Sequence, residues 1–259
     1  MKVFKPVILF FALIAMAFAS SKHKPVFYII GDSTVKNGDG KNTNILQGWG
    51  SFIDDYFDTT RISISNQAIG GRSSRTFITD GRWAKILATL QKGDYVIMQF
   101  GHNDGGALDD TARARGTIKG IGEDSTEIYN PIRKMKEVVH TYGWYMRRYV
   151  NEAKAKGAIP IVCSPIPRND WKDGKVLRSN DTYTKWAREV AGQTGAYFID
   201  LHNIISDEFE RIGEKKATGF FPQEHTHTNK EGAIFNATIV VNEIKRLKQC
   251  RLKRYLLNK

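Results

Sequence analysis

A chain of 259 residues, 41% hydrophobic and 25% charged, holds enough apolar material for one sizeable core and too much for a disordered tail or a short stapled scaffold. Its formal charge is +12, yet the 39 Lys and Arg are spread among 27 acidic residues without forming blocks, which argues against a nucleic-acid protein. Dispersed basicity of this kind favours anionic ligands and says nothing sharper.

The N-terminus combines Lys2 and Lys5, an apolar run over 7–18 and the small-residue close Ala17-Phe18-Ala19, the three parts of a secretory signal peptide. The run is shorter than the ~20 residues of a membrane span, so cleavage after Ala19 is expected rather than anchorage. Residues 20–259 then form a single domain that works in the periplasm or outside the cell, without membrane contact after cleavage. Cys163 and Cys250 are the only cysteines, and the fold is expected to stand without a disulfide framework.

Short apolar runs at 26–30, 62–66, 95–100, 159–163 and 197–199 each lead into a polar or glycine-rich turn and read as buried strands. Helical spacing occupies 49–57, 83–90, 144–156, 183–194, 204–212 and 232–248. The alternation predicts an α/β fold in which a five-stranded parallel sheet lies between helices on both faces. Chemistry is then expected in the turns beyond the C-terminal strand ends. Two connections, 105–140 and 165–180, are too long for turns. They carry Arg113, Arg115, Lys119, Arg168, Trp171 and Lys172, and read equally as binding loops or solvated insertions. Within the first, 127–129 and 138–140 are expected to pair as a small hairpin.

Four turns hold reactive side chains. Gly31-Asp32-Ser33-Thr34 places a hydroxyl at the tip of the first strand, a position for a nucleophile or for a helix cap. Ala68-Ile69-Gly70-Gly71-Arg72 lets backbone N–H groups approach a ligand closely, or simply makes a tight turn. Gly101-His102-Asn103-Asp104 offers an amide donor beside them, or an Asx turn. Near the C-terminus Glu224 stands three residues before His227, a spacing that lets a carboxylate hold one imidazole nitrogen and leaves the other to take a proton. Glu224, His225 and His227 do not match the usual zinc spacings. Together the four turns supply a nucleophile, a base with its orienter, and oxyanion donors, which is the set required for acyl transfer.

In chain order, Gly31-Asp32-Ser33, Gly71, Asn103 and His227 resemble the four signature blocks of the SGNH, or GDSL, hydrolases. Gly70-Gly71-Arg72-Ser73, Phe100-Gly101-His102-Asn103-Asp104, Thr141-Tyr142-Gly143-Trp144, Pro165-Ile166-Pro167-Arg168 and His225-Thr226-His227-Thr228-Asn229 are similar to the rhamnogalacturonan acetylesterases among them. The resemblance implies a flavodoxin-like three-layer α/β/α sandwich and a serine esterase that removes acetyl groups from pectin, with no cofactor and no metal. It implies Ser33 as nucleophile, His227 as base, and an oxyanion hole of the Ser33 and Gly71 N–H groups with the Asn103 side chain. Arg72, Arg168 and Trp171 are the expected contacts to an acetylated, anionic polysaccharide. One position departs from the family, which has Asp where Glu224 stands; the extra methylene moves the carboxylate outward by about 1.5 Å. Serine hydrolases on other folds accept Glu as the orienter, so a working triad is expected, with Asp32 fixing the turn. The alternatives are a lipolytic esterase or thioesterase of the same superfamily, or a secreted sugar-binding module without turnover.

Overall fold

A computed structural model describes residues 23–36 and 45–258; the expected signal peptide lies outside them. Strands β1 (Val26–Gly31), β2 (Ser63–Asn66) and β3 (Tyr95–Gln99) precede a hairpin of β4 (Ser125–Asn130) and β5 (Met135–His140). Then come β6 (Ile159–Cys163), a short ribbon of β7 (Trp171–Lys172) and β8 (Lys175–Val176), and β9 (Tyr197–Ile199). The α-helices are α1 (Ser74–Thr79), α2 (Arg82–Thr89), α3 (Tyr142–Ala155), α4 (Tyr183–Thr194), α5 (Leu201–Ile212), α6 (Glu214–Thr218) and α7 (Lys230–Arg246).

Five strands make one parallel sheet in the order β2-β1-β3-β6-β9. The inner strands β1, β3 and β6 read as almost wholly apolar runs because both faces are covered, whereas the edge strand β2 carries Ser63, Ser65 and Asn66. The period-two alternation of strand side chains then divides them between two cores. Phe27, Ile29, Tyr95, Ile97, Ile161 and Cys163 face the layer of α5 and α7, where Phe209, Ala237 and Val240 meet them. Tyr28, Ile30, Val96, Met98 and Val162 face α2, α3 and α4, against Trp83, Tyr149 and Val190. Each such side chain, fully buried, contributes roughly 1.5–3 kcal/mol to folding. The architecture is the expected three-layer sandwich. Cys163 and Cys250 are both buried and free.

The five expected strands are all present, and the predicted hairpin extends further than expected in both arms. The stretch 49–57 differs. Instead of an α-helix it forms two 3₁₀ turns, Trp49–Phe52 and Asp54–Tyr56, closed by Tyr56 N–H to Ile53 O (3.2 Å) and Phe57 N–H to Asp54 O (3.1 Å). Trp49, Phe52, Ile53 and Phe57 are spaced like a helix face and are indeed buried. The segment, however, is wedged against the sheet so closely that a Cβ at Gly50 would lie 2.2 Å from the Asn66 amide and 2.4 Å from Val35 O. A segment this short and this confined tightens into i→i+3 turns.

Because β1 is flanked by β2 on one side and β3 on the other, the strand order reverses between β1 and β3. A crevice opens at such a switch point, beyond the C-terminal strand ends. Gly31 allows β1 to pass tightly there: a Cβ on it would meet Gln99 O and Val35 Cγ2, each at 2.7 Å.

Candidate active site

The turn after β1 is shaped by Asp32. Its Oδ1 accepts the Thr34 N–H (2.9 Å) and the Thr34 hydroxyl (2.8 Å), and its carbonyl accepts from Val35 and Lys36. Behind it, the Gln99 amide donates to Thr34 Oγ1 (2.6 Å) and accepts from the Trp49 indole (2.9 Å), a buried chain that ties the turn to β3. Buried polar chains of this kind are satisfied or costly, and here they hold the neighbouring Ser33 in one orientation. Ser33 does not cap a helix; its Oγ lies 2.6 Å from His227 Nε2.

His227 sits on the loop before α7, which is pinned at several points. Asn169 N–H donates to His225 O (2.7 Å), Gln47 N–H to Thr228 O (2.8 Å), and the Thr228 hydroxyl to Gln47 O (2.9 Å). Asn229 caps α7 through Gly232 N–H (3.0 Å). Within the loop Glu224 closes the turn: Oε1 meets the His227 ring Nδ1 (2.6 Å) and N–H (2.7 Å), while Oε2 accepts Thr226 N–H (2.8 Å). Burial pushes the Glu224 carboxyl up, but the His227 amide, the His227 ring and the Thr226 amide together outweigh it and hold it below its ordinary value. The longer side chain thus reaches the ring from a solvent-facing position. His225 turns instead to Asp170 (2.7 Å), so Glu224, His225 and His227 do not share a centre, and among the described residues no three such side chains are grouped to hold a metal ion.

Gly71 has φ +76°, a conformation that favours glycine, and among the described residues neither its N–H nor that of Ser33 is hydrogen-bonded to a protein acceptor. The Asn103 side-chain amide donates one hydrogen to Arg72 O (2.9 Å), which orients the amide plane and leaves the second hydrogen for the cleft. All these groups border one open cleft of about 600 Å³, which is also lined by Arg72, His102, Arg113, Arg115, Ile132 and Arg168.

The two turns that carry Gly71 and Asn103 are joined by Asp104. Fully buried, it accepts the Ser74 N–H (3.1 Å) and hydroxyl (2.5 Å) at the start of α1. The Tyr149 hydroxyl in turn holds Ser74 O (2.7 Å). Burial pushes the Asp104 carboxyl up to about 7 despite those hydrogen bonds. A folded value above the ordinary 3.8 means that folding favours the protonated form, so this contribution is complete below about 4 and is lost as the pH rises to about 7. The melting temperature is therefore expected to fall over that window more steeply in the parent than in Asp104→Asn; parallel curves would dissociate Asp104 from the pH response.

Of the expected substrate contacts, Arg72 and Arg168 line the cleft, and Arg72 pairs with Asp80 (2.6 Å). Trp171 does not line it. Its indole packs against the α5/α7 core and donates to Asn169 Oδ1 (2.7 Å), because β7 and β8 form a ribbon that lies on that side of the sheet. His102 was not among the expected contacts although it borders the cleft, and Arg113 and Arg115, on a connection that reads equally as a binding loop or a solvated insertion, border it too. The available signal was their position in the turn and long loop after β3.

The sequence pattern of the GDSL-like lipase/acylhydrolase family matches residues 29–233. A rhamnogalacturonan acetylesterase of Emericella nidulans is 34% identical over 223 residues, 86% of this chain and 85% of that protein. YesY of Bacillus subtilis, named a probable rhamnogalacturonan acetylesterase, is 32% identical over 85% of this chain and 92% of its own. Among solved structures, the YXIM protein of Bacillus subtilis superposes with a TM-score of 0.70 at 27% identity, covering 86% of this chain and 57% of the longer one. Signature turns, sheet order and sequence kinship agree: the chain belongs to the GDSL-like lipase/acylhydrolase family of carboxylic ester hydrolases.

Proposed function

We propose that this enzyme removes O-acetyl groups from pectic polysaccharide of the rhamnogalacturonan type through an acetyl-Ser33 intermediate, and that it acts after export directed by residues 1–19. The observation that carries the chemistry is the continuous contact Glu224 Oε1–His227 Nδ1, His227 Nε2–Ser33 Oγ, each 2.6 Å, at the edge of an open cleft. His227 Nε2 takes the hydroxyl proton as Ser33 Oγ bonds to the acetyl carbon, and Glu224 stabilises the imidazolium that forms. The oxyanion is held by the N–H groups of Ser33 and Gly71 and by the Asn103 amide. Collapse breaks the ester C–O bond, with the His227 proton passing to the departing sugar hydroxyl. Water then attacks the acetyl-serine with His227 again as base, which releases acetate and restores the hydroxyl.

The polysaccharide substrate is supported by the names of the relatives and by the cleft lining. A lipolytic enzyme needs an apolar acyl pocket, whereas guanidinium groups of Arg72, Arg113, Arg115 and Arg168 line this cleft. Acetate release from acetylated rhamnogalacturonan, compared with acetylated xylan and a long-chain p-nitrophenyl ester, tests the reading. The pectic substrate is expected to be turned over with the highest kcat/KM, and to lose several-fold on going from low to high salt while p-nitrophenyl acetate changes little. Hydrolysis of the small ester with no acetate released from the polymer would overturn the substrate.

A further inference from the structure

The loop after β3 is irregular between Gly105 and Thr117 yet tightly built. The Asp110 carboxylate accepts the N–H groups of Ala112 (2.9 Å), Arg113 (2.7 Å) and Ala114 (2.9 Å), and these bonds, led by that of Arg113, hold its carboxyl below the ordinary range. Buried Arg75 holds the loop from beneath, donating to Leu108 O (3.0 Å) and Gly116 O (2.8 Å), and its own charge is met by Glu137 (2.8 Å). Ala114, only 1% exposed, has φ +43°, a strained conformation for a residue with a Cβ.

This construction presents Arg113 and Arg115, two residues apart, to the cleft that contains Ser33. Arg115 Nη1 donates to Gly71 O (3.3 Å), on the peptide unit next to the Gly71 N–H. Among the described residues no carboxylate lies within ion-pair distance of Arg113, Arg115 or Arg168, whereas Arg72 is neutralised by Asp80. Burial and the neighbouring Arg113 charge work against the Arg115 cation and outweigh the more distant pull of Asp110, Asp32 and Asp104, none of which pairs with it. Two like charges presented to one cleft by a strained loop, neither of them in an ion pair among the described residues, are compensated when an anion enters the cleft. The planar, forked donors of guanidinium groups suit a carboxylate.

We propose that Arg113 and Arg115 form a carboxylate-binding subsite that takes the uronate neighbouring the acetylated sugar unit, so that the enzyme selects acetyl groups beside a free carboxylate. The proposal rests on the pectic reading above and adds to it the feature of the substrate that is recognised.

The test uses an acetylated rhamnogalacturonan oligosaccharide and the same oligosaccharide with its uronates methyl-esterified, with p-nitrophenyl acetate as the small-ester reference. For the parent enzyme, methyl-esterification is expected to raise KM at least about tenfold with little change in kcat, the pattern of a lost ground-state contact. Arg113→Ala and Arg115→Ala are each expected to narrow the difference, the double variant to erase it, and Arg115→Lys to restore part of it. Arg113 is exposed, so Arg113→Glu decides the matter even where Arg115→Ala fails to fold; it is expected to reverse the preference. Equal KM for both oligosaccharides in the parent, or undiminished discrimination in the double variant, overturns the subsite and leaves the acetylesterase reading standing. Acetate from neither oligosaccharide, with the small ester still hydrolysed, overturns the pectic reading and the subsite with it.

Discussion

Ser33→Ala is expected to lower kcat on p-nitrophenyl acetate by on the order of 10⁶ while leaving the melting temperature nearly unchanged. The size of the loss follows from what remains. Without Oγ there is no acyl-enzyme, and His227 loses its only proton donor in the 2.6 Å contact. The Ser33 and Gly71 N–H groups and the Asn103 amide still surround the carbonyl, so turnover should remain above that in water by the amount such donors supply alone. Stability should hold because the hydroxyl contributes no bond to either core; the turn is secured by Asp32, Thr34 and Gln99. Initial-rate kinetics and the mass of the enzyme after brief exposure to substrate provide the check. The parent should carry a transient acetyl group and the variant none, and a variant that still acylates would remove Ser33 from the nucleophile's role.

Glu224→Ala is expected to reduce kcat by about 10⁴, the loss typical when the group that orients a catalytic imidazole is removed. Two consequences combine. The His227 ring loses the acceptor that selects its tautomer and stabilises the imidazolium, and the Thr226 and His227 N–H groups lose the carboxylate that folds the turn beneath the ring. Glu224→Gln separates them, since a neutral amide still offers an acceptor to the loop but no charge to the ring. Glu224→Asp is expected to stay within about tenfold of the parent. The carboxylate then draws back by about one carbon–carbon bond, near 1.5 Å, and the exposed turn has room to follow it. Because the Glu224 carboxyl is held below its ordinary value, its contribution is complete above the unfolded-chain value. It is lost only as the pH falls through the lower folded one. Equal kcat in the parent and all three variants would show that the carboxylate does not orient the base.

Much of this molecule was legible in the sequence because parallel strands buried on both faces leave a plain record. Residues 26–30 and 159–163 are continuous apolar runs and 95–100 is broken by Gln99 alone, each ending at glycine or a small polar residue. That Ser33, Gly71, Asn103 and His227 border one cleft could be anticipated for a related reason, since the turns beyond the strand ends of such sheets lie together. Local signals were also present that the reading passed over. Ser73 and Thr76 form a reciprocal cap at the start of α1, and Asp173-Gly174, with φ values of +50° and +72°, closes the β7–β8 ribbon as a two-residue turn. The 49–57 stretch misled because its apolar spacing reflects burial, whereas the close pass at Gly50 decided its conformation.

The sequence by itself determined the layer order, the strand positions and the kinds of side chain available for acyl transfer, because periodicity and turn chemistry are properties of neighbouring residues. Only the tertiary structure decided that Ser33 and His227, 194 positions apart, stand 2.6 Å from one another. It alone shows that Glu224 reaches the imidazole, that Trp171 faces the core, and that Asp110 and buried Arg75 hold Arg113 and Arg115 at the cleft with no ion-pair partner among the described residues. Such facts depend on which segments the packed core brings together, and that is set by the whole chain at once.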